Sequence, residues 1–165
     1  MSRHAMLKLC SSALVMFAAA VPHLPAVAQQ HPSYGPTLNL ETARKAGLAT
    51  IAECRKNNWN VAVAVVDNHG LLIYYEMMDD TQTASANIAL EKARTSAMFR
   101  RPSKAFEQAI AMGRNAVLGL PGATPISGGV PVMAGGKIIG AVGVSGVTSD
   151  QDEQCAKAGA DAVAR

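Results

Sequence analysis

At 165 residues, 49% of them hydrophobic and 16% charged, the chain has the length and composition of a single folded domain preceded by a short extra segment. Its 15 Lys and Arg stand against 12 Asp and Glu, with no basic cluster beyond Arg100-Arg101, so the electrostatic footprint of a nucleic-acid binder is missing.

The first 28 residues read as a secretory signal peptide: basic Arg3 and Lys8, an apolar run from Leu9 to Val21, and a small-residue exit at Ala26-Val27-Ala28. The run is about 13 residues, short of the roughly 20 that a helix needs to cross hydrocarbon. Cleavage before Gln29 and a periplasmic or secreted destination, with no stable membrane span afterwards, are therefore expected. Loss of Arg3 and Lys8 leaves 13 basic against 12 acidic residues, a nearly neutral mature chain. Residues 29–37 are polar and marked by Pro and Gly, and read as a flexible leader. Residues 38–165 read as the folded domain.

Asn39 is placed to cap a first helix that runs to about Lys56, with Leu40, Ala43, Gly47, Ile51 and Cys54 recurring at three- and four-residue steps. The apolar, β-branched run Val61 to Val66 predicts a strand covered on both faces. Asp67-Asn68-His69-Gly70 is turn chemistry, and Leu71 to Met78 returns as a second strand. Ala84 to Phe99 predicts a helix ended by Arg101-Pro102, and Ser103 is read as the cap of a third helix reaching about Met112. Further strands are expected near Thr124, at Val130 to Ala134 and at Lys137 to Ser145, the last two joined by a Gly135-Gly136 turn. Ser149 to Asp152 is read as a capping box opening a final helix with Cys155, Gly159, Ala162 and Val163 on one face. The order fits an α+β domain, an antiparallel sheet with helices packed against it.

Five fragments occur together: Val63-Ala-Val-Val-Asp67-Asn-His-Gly70, Lys92-Ala-Arg94-Thr95, Gly128-Gly129-Val-Pro131, Ile139-Gly140-Ala-Val-Gly143-Val-Ser-Gly146 and Asp150-Gln-Asp-Glu153. On these the chain resembles the GlcG/HbpS family over essentially Leu38 to Arg165. The resemblance implies a five-stranded antiparallel sheet flanked by helices in two or three layers, and assembly into homo-oligomers. It also implies haem as cofactor, in scavenging, buffering, sensing or degradation. A related domain is attached to corrinoid adenosyltransferases, so a corrinoid is a lesser alternative. Other relatives lie beside catabolic genes, which keeps open a binder or enzyme for a small organic acid. In that family fold the first and last helices lie near one another, which implies a Cys54–Cys155 disulfide; two buried free thiols are the alternative.

His69 is the only domain histidine outside the leader and a candidate metal ligand for haem iron, although a solvated histidine in a turn is the plainer reading. His31 in the leader is a second candidate. Arg94 and Lys92 lie two apart on one helix and cannot both face a pocket; Arg94, with its planar fork, is chosen as the carboxylate anchor, against a surface ion pair with Glu91 or Asp67. Thr124, Gly128, Gly129 and Pro131 lie on a segment whose backbone can approach a ligand or can equally make a tight strand entry. Asp67 is read as a turn-former ahead of a base. No Ser/His/Asp set can be assembled, so whether the protein is an enzyme stays open.

Overall fold

The computed structural model describes residues 30–164; the candidate signal peptide lies outside them. The elements are α1 (Leu40–Lys56), β1 (Ala62–Asp67), β2 (Leu72–Met77), α2 (Ser85–Met98), α3 (Lys104–Ala111), a short 3-10 turn at Asn115–Gly119, β3 (Gly129–Ala134), β4 (Lys137–Ser145) and α4 (Ser149–Asp161). Every strand pairing is antiparallel and the sheet order is β2-β1-β4-β3. The fold is α+β, but the sheet has four strands and not the five expected.

The missing strand is the one placed near Thr124. Pro125 has no amide hydrogen to give a ladder. The neighbouring backbone finds other partners: the Thr124 N–H donates to Thr95 Oγ1 at 2.8 Å, and the Ile126 N–H to the Thr124 carbonyl at 2.9 Å. With its polar groups satisfied by α2 and by itself, the segment stays a loop.

The sheet carries a helical layer on each face. Val61, just before β1, and Val63 and Val65 within it face α1 and α4, together with Val142 and Val144 of β4. On the other face Ala62, Ala64, Val66 and Ala141 meet Ala89, Ala93 and Ala97 of α2. Small side chains on that second face let α2 come very close. A Cβ on Gly143 would collide with the Ala89 carbonyl and the Ala93 amide, so the glycine in β4 is what admits the helix backbone. The two central strands, β1 and β4, are buried almost throughout, as the continuous apolar runs predict.

Local signals behave mostly as read. Asn39 Oδ1 accepts from the Thr42 N–H at 2.9 Å and caps α1. Asp67 Oδ1 accepts from the His69 and Leu71 amides at 2.9 and 2.8 Å, so Asp67 organises the β1–β2 turn. The capping box of α4 sits one residue earlier than expected, formed by Thr148 and Gln151. Ser103 does not cap α3 with its side chain; its hydroxyl donates to the Ile126 carbonyl at 2.7 Å and accepts from the Gly129 N–H at 2.9 Å. Cys54 and Cys155 form a disulfide, Cα atoms 5.7 Å apart, joining α1 to α4.

Part of the stretch read as leader runs beside the start of β4. The Gly35 N–H donates to the Ile138 carbonyl, the Ile138 N–H to the Ser33 carbonyl, and the Leu38 N–H to the Ile139 carbonyl, all within 2.8 to 2.9 Å. The Tyr34 hydroxyl donates to the Met98 carbonyl at 2.8 Å, and the Arg100 guanidinium lies 5.6 Å from the Tyr34 ring centre. These contacts carry the chain across the end of α2 and bring His31 to α3.

Candidate ligand-binding cleft

The sequence-predicted residues fall in three places. His69 is exposed at the β1–β2 turn. Arg94 is half-exposed beside it: its Nε donates to the Gly70 carbonyl at 3.1 Å and its Nη1 to Glu91 at 2.7 Å. These bonds staple the turn to α2 and occupy the fork proposed for a ligand carboxylate.

Gly128, Gly129 and Pro131 lie at the entry to β3, an edge strand, where a proline need not donate to a neighbour. Gly128 has φ of +122°, which only glycine adopts readily. A side chain at Gly129 would strike the Lys92 carbonyl and the Ser103 hydroxyl. The bare face of Gly128 is filled by the Val144 carbonyl, Asp152 and Lys92, and that of Gly129 by Lys92 and Ser103. Thr124 lies on the loop between the 3-10 turn and β3, half-buried, its amide held by Thr95.

Of the two cations on α2, Lys92 and not Arg94 points inward. Its Nζ lies 2.7 Å from Asp152 Oδ2, and both side chains are 2% exposed. The Asp152 Oδ1 accepts from the Val147 N–H at 3.2 Å. Burial pushes the Asp152 carboxyl up from the ordinary aspartate range, against the opposing pull of the Lys92 ammonium and of backbone amides. Next to this pair Glu153 Oε2 accepts from Lys104 Nζ at 2.7 Å and from the Ser127 hydroxyl at 3.1 Å, and Glu107 Oε2 accepts from the Ser127 N–H at 2.8 Å. The whole arrangement ties α2, α3, α4 and the loop before β3 together. The signal for it was in the sequence: Lys92 shares a helical stripe with Ser85, Ala89 and Ser96, all buried.

The opening that suits a flat ligand lies elsewhere, between α3, the 3-10 turn and His31. It measures about 570 Å³ and is floored by Ala105, Phe106, Ala109, Met112, Val117 and Leu120. Arg101, Arg114 and His31 line it as well, and no carboxylate does. Phe106 is anchored by an edge-on contact with Phe99, centres 5.1 Å apart, and by Arg101 over its ring at 5.0 Å. Met112 is 74% exposed and Leu120 40% exposed, so the apolar floor is open to solvent. Sequence reading missed this cleft because the turn that closes it, after Gly113, has no periodicity. The stripe Ala105, Phe106, Ala109, Met112 was the available sign.

A second apolar groove of about 790 Å³ lies between α1 and β2, lined by Leu40, Leu48 and Tyr74 with Glu41, Arg44 and Glu76. Its two carboxylates outnumber its one cation. Burial and the adjoining Glu76 carboxylate, which accepts a hydrogen bond from the phenol, push Tyr74 up to about 12. Among the described residues no group of three or more His, Cys, Asp or Glu side chains is placed to hold a metal ion, and no helix is long and apolar enough to cross a membrane.

Comparison with known proteins follows the fold. The chain is 49% identical to protein GlcG of Escherichia coli K12 over 93 residues, 56% of this chain and 69% of that one. Its structure matches that of a double mutant of HbpS from Streptomyces reticuli at a TM-score of 0.73 and 30% identity, covering 90% of this chain and all of the other. It also shares its fold with PduOC, solved as a complex with haem, at a TM-score of 0.68 and 22% identity, covering 76% and 94% of the two chains. Residues 38–161 match the family model described as haem degrading protein HbpS-like, and the chain belongs to that HbpS-like family.

Proposed function

We propose that this is an exported haem-binding protein of the cell envelope that scavenges, buffers or senses haem, with the cleft between α3 and the 3-10 turn as its site. The family membership and the relative solved with haem motivate the ligand; the cleft carries the reading. Its volume of about 570 Å³ lies within the roughly 300–1,000 Å³ typical of small-molecule sites. An apolar floor with cations and no carboxylate suits a macrocycle that is oily over its faces and dianionic at one edge. Haem, when bound, supplies an iron centre whose reactivity is set by its axial ligand and surroundings.

The chain's own residues have distinct tasks in this reading. Met112, Val117, Leu120 and the alanines of α3 offer apolar area that a bound macrocycle would remove from water, over a base fixed by the buried Phe106, which Phe99 and Arg101 hold. Arg101 and Arg114 meet the propionates, where a guanidinium gives paired charge-assisted hydrogen bonds. His31 is the imidazole of the cleft and would hold the iron; His69, at the β1–β2 turn, is not among the residues that line it. Homo-oligomerisation belongs to the proposal too and is read by sedimentation of the mature chain.

The small-organic-acid reading needs Arg94 as a free anchor, and that side chain is engaged by Gly70 and Glu91. We therefore favour haem. Hemin titration of the mature chain tests it: a saturable Soret shift is expected, and its absence throughout the micromolar range refutes the proposal.

A further inference from the structure

We infer that the processed N-terminus is itself a metal site: Gln29-Gln30-His31, once freed by cleavage after Ala28, binds one Cu(II) or Ni(II) in a square plane of four nitrogens. The inference rests on the export half of the reading above; it does not require haem, although it uses the same His31 imidazole.

The chemistry follows from which atoms become available. A free α-amine followed by any non-proline residue and then by histidine offers the amine, the amide nitrogens of the second and third residues, and imidazole Nδ1. These close consecutive chelate rings around one ion. A planar set of nitrogen donors is the geometry that Cu(II) and Ni(II) prefer. The sequence meets each requirement: Ala26-Val27-Ala28 is the exit of the signal, Gln30 has the amide hydrogen that a proline would lack, and His31 is third. Three of the four donors are backbone or terminal nitrogens, so the site needs only one metal-binding side chain.

The structure fixes the chain immediately behind this site. The backbone of Ser33 to Leu38 is bonded to β4, and Arg100 Nη1 donates to the Pro32 carbonyl at 3.4 Å. Gln30, one step beyond, is exposed, and His31 is half-buried at the cleft. The chain behind the site, from Ser33 on, is thus held against the sheet.

Protons and charge balance. Binding displaces two amide protons and, below the ordinary α-amino value of about 7.7–8.0, one ammonium proton. The divalent ion and two amide anions sum to zero, so the nearby Arg100 and Arg101 do not oppose the complex. Affinity accordingly rises with pH, because the metal competes with protons for its nitrogen donors.

The test uses the mature chain purified from the envelope, its first residue fixed by mass spectrometry, titrated with Cu(II) sulfate. One equivalent should bind with the visible band and paramagnetic-resonance nitrogen splitting of a planar four-nitrogen complex, with release of protons. Gln30→Pro, His31→Ala, and a chain carrying one extra glycine before Gln29 should each weaken binding by more than ~100-fold, beyond what loss of a second-sphere partner costs. All three should leave the circular dichroism unchanged. The same spectrum in the extended chain, a mature N-terminus at another residue, or a Gln29 cyclised to a lactam overturns the inference. Hemin titration of the same samples is scored separately, so loss of haem binding in the extended chain would count against the cleft and not against the metal site.

Discussion

Lys92 Nζ of α2 lies 2.7 Å from Asp152 Oδ2 of α4, with both side chains 2% exposed, so one ion pair in the interior joins the helices on opposite faces of the sheet. Removing either partner strands the other charge, which costs roughly 3–5 kcal/mol, whereas replacing both by apolar groups of similar volume is often neutral. Lys92→Met should therefore destabilise by that amount in urea unfolding. Adding Asp152→Leu should recover much of the loss; a double variant no better than the single would show that Asp152 is held chiefly by the Val147 amide.

The Cys54–Cys155 bond closes a separation of 101 residues. A loop of that length lends on the order of 4–5 kcal/mol by restricting the unfolded chain. Reduction, or the double Cys→Ala variant, should lower stability by about that much, measured as the urea midpoint with and without reductant. Thiol titration of the unfolded, unreduced protein should find neither of these cysteines.

Gly129 sits where a side chain would meet the Lys92 carbonyl, a backbone atom that cannot step aside. Gly129→Ala should cost about 1–3 kcal/mol or more through overpacking. Gly122→Ala, beside open space but at φ of +74°, should cost less, on the order of 1 kcal/mol, since only backbone strain is involved. Thermal unfolding of the two variants compares packing with strain.

Arg101 and Arg114 are the cations of the proposed haem cleft. Arg101→Ala with Arg114→Ala should weaken hemin binding about tenfold or more, the equivalent of roughly 1.4 kcal/mol, while Arg94→Ala should leave it unchanged. His31→Ala should shift the Soret band without abolishing uptake. Equal effects of Arg94 and Arg101 would place the ligand at the β1–β2 turn instead.

Tyr74 is held protonated by burial and by Glu76, up to about 12. Its folded value lies above the ordinary tyrosine value of ~10, so the unfolded chain ionises first. The stabilisation is complete below pH ~10 and is lost progressively as pH rises toward about 12. Tyr74→Phe should flatten the alkaline limb of the urea midpoint against pH; an unchanged limb would assign it to other groups.

Much of this architecture is decided within short stretches of chain. The cap at Asn39, the turn organised by Asp67, the buried run of β1 and the Gly135-Gly136 hairpin follow from hydrogen-bonding groups and side-chain periods that act over a few residues. Fragments spread from Val63 to Glu153 carried the family; the glycines among them mark places where backbones meet, and Lys92, Asp152 and Glu153 carry ion pairs. Five strands were expected where four exist, since an extended-looking segment at Thr124 becomes a strand only if a ladder partner is there, and α2 took that role first.

The site followed the same division. Sequence narrowed the interior cation to Lys92 or Arg94, because residues two apart on a helix point different ways. Arg94 was the one chosen for a pocket, yet Lys92 is the one that turns inward, because the outcome depends on Asp152, 60 residues along the chain. Whether His31 or His69 stands at an oily cleft was likewise settled by the docking of Ser33 to Leu38 on β4. Local chemistry is written in neighbouring residues; which charge is buried, and which surface stays open, is fixed only when distant segments compete for the same space.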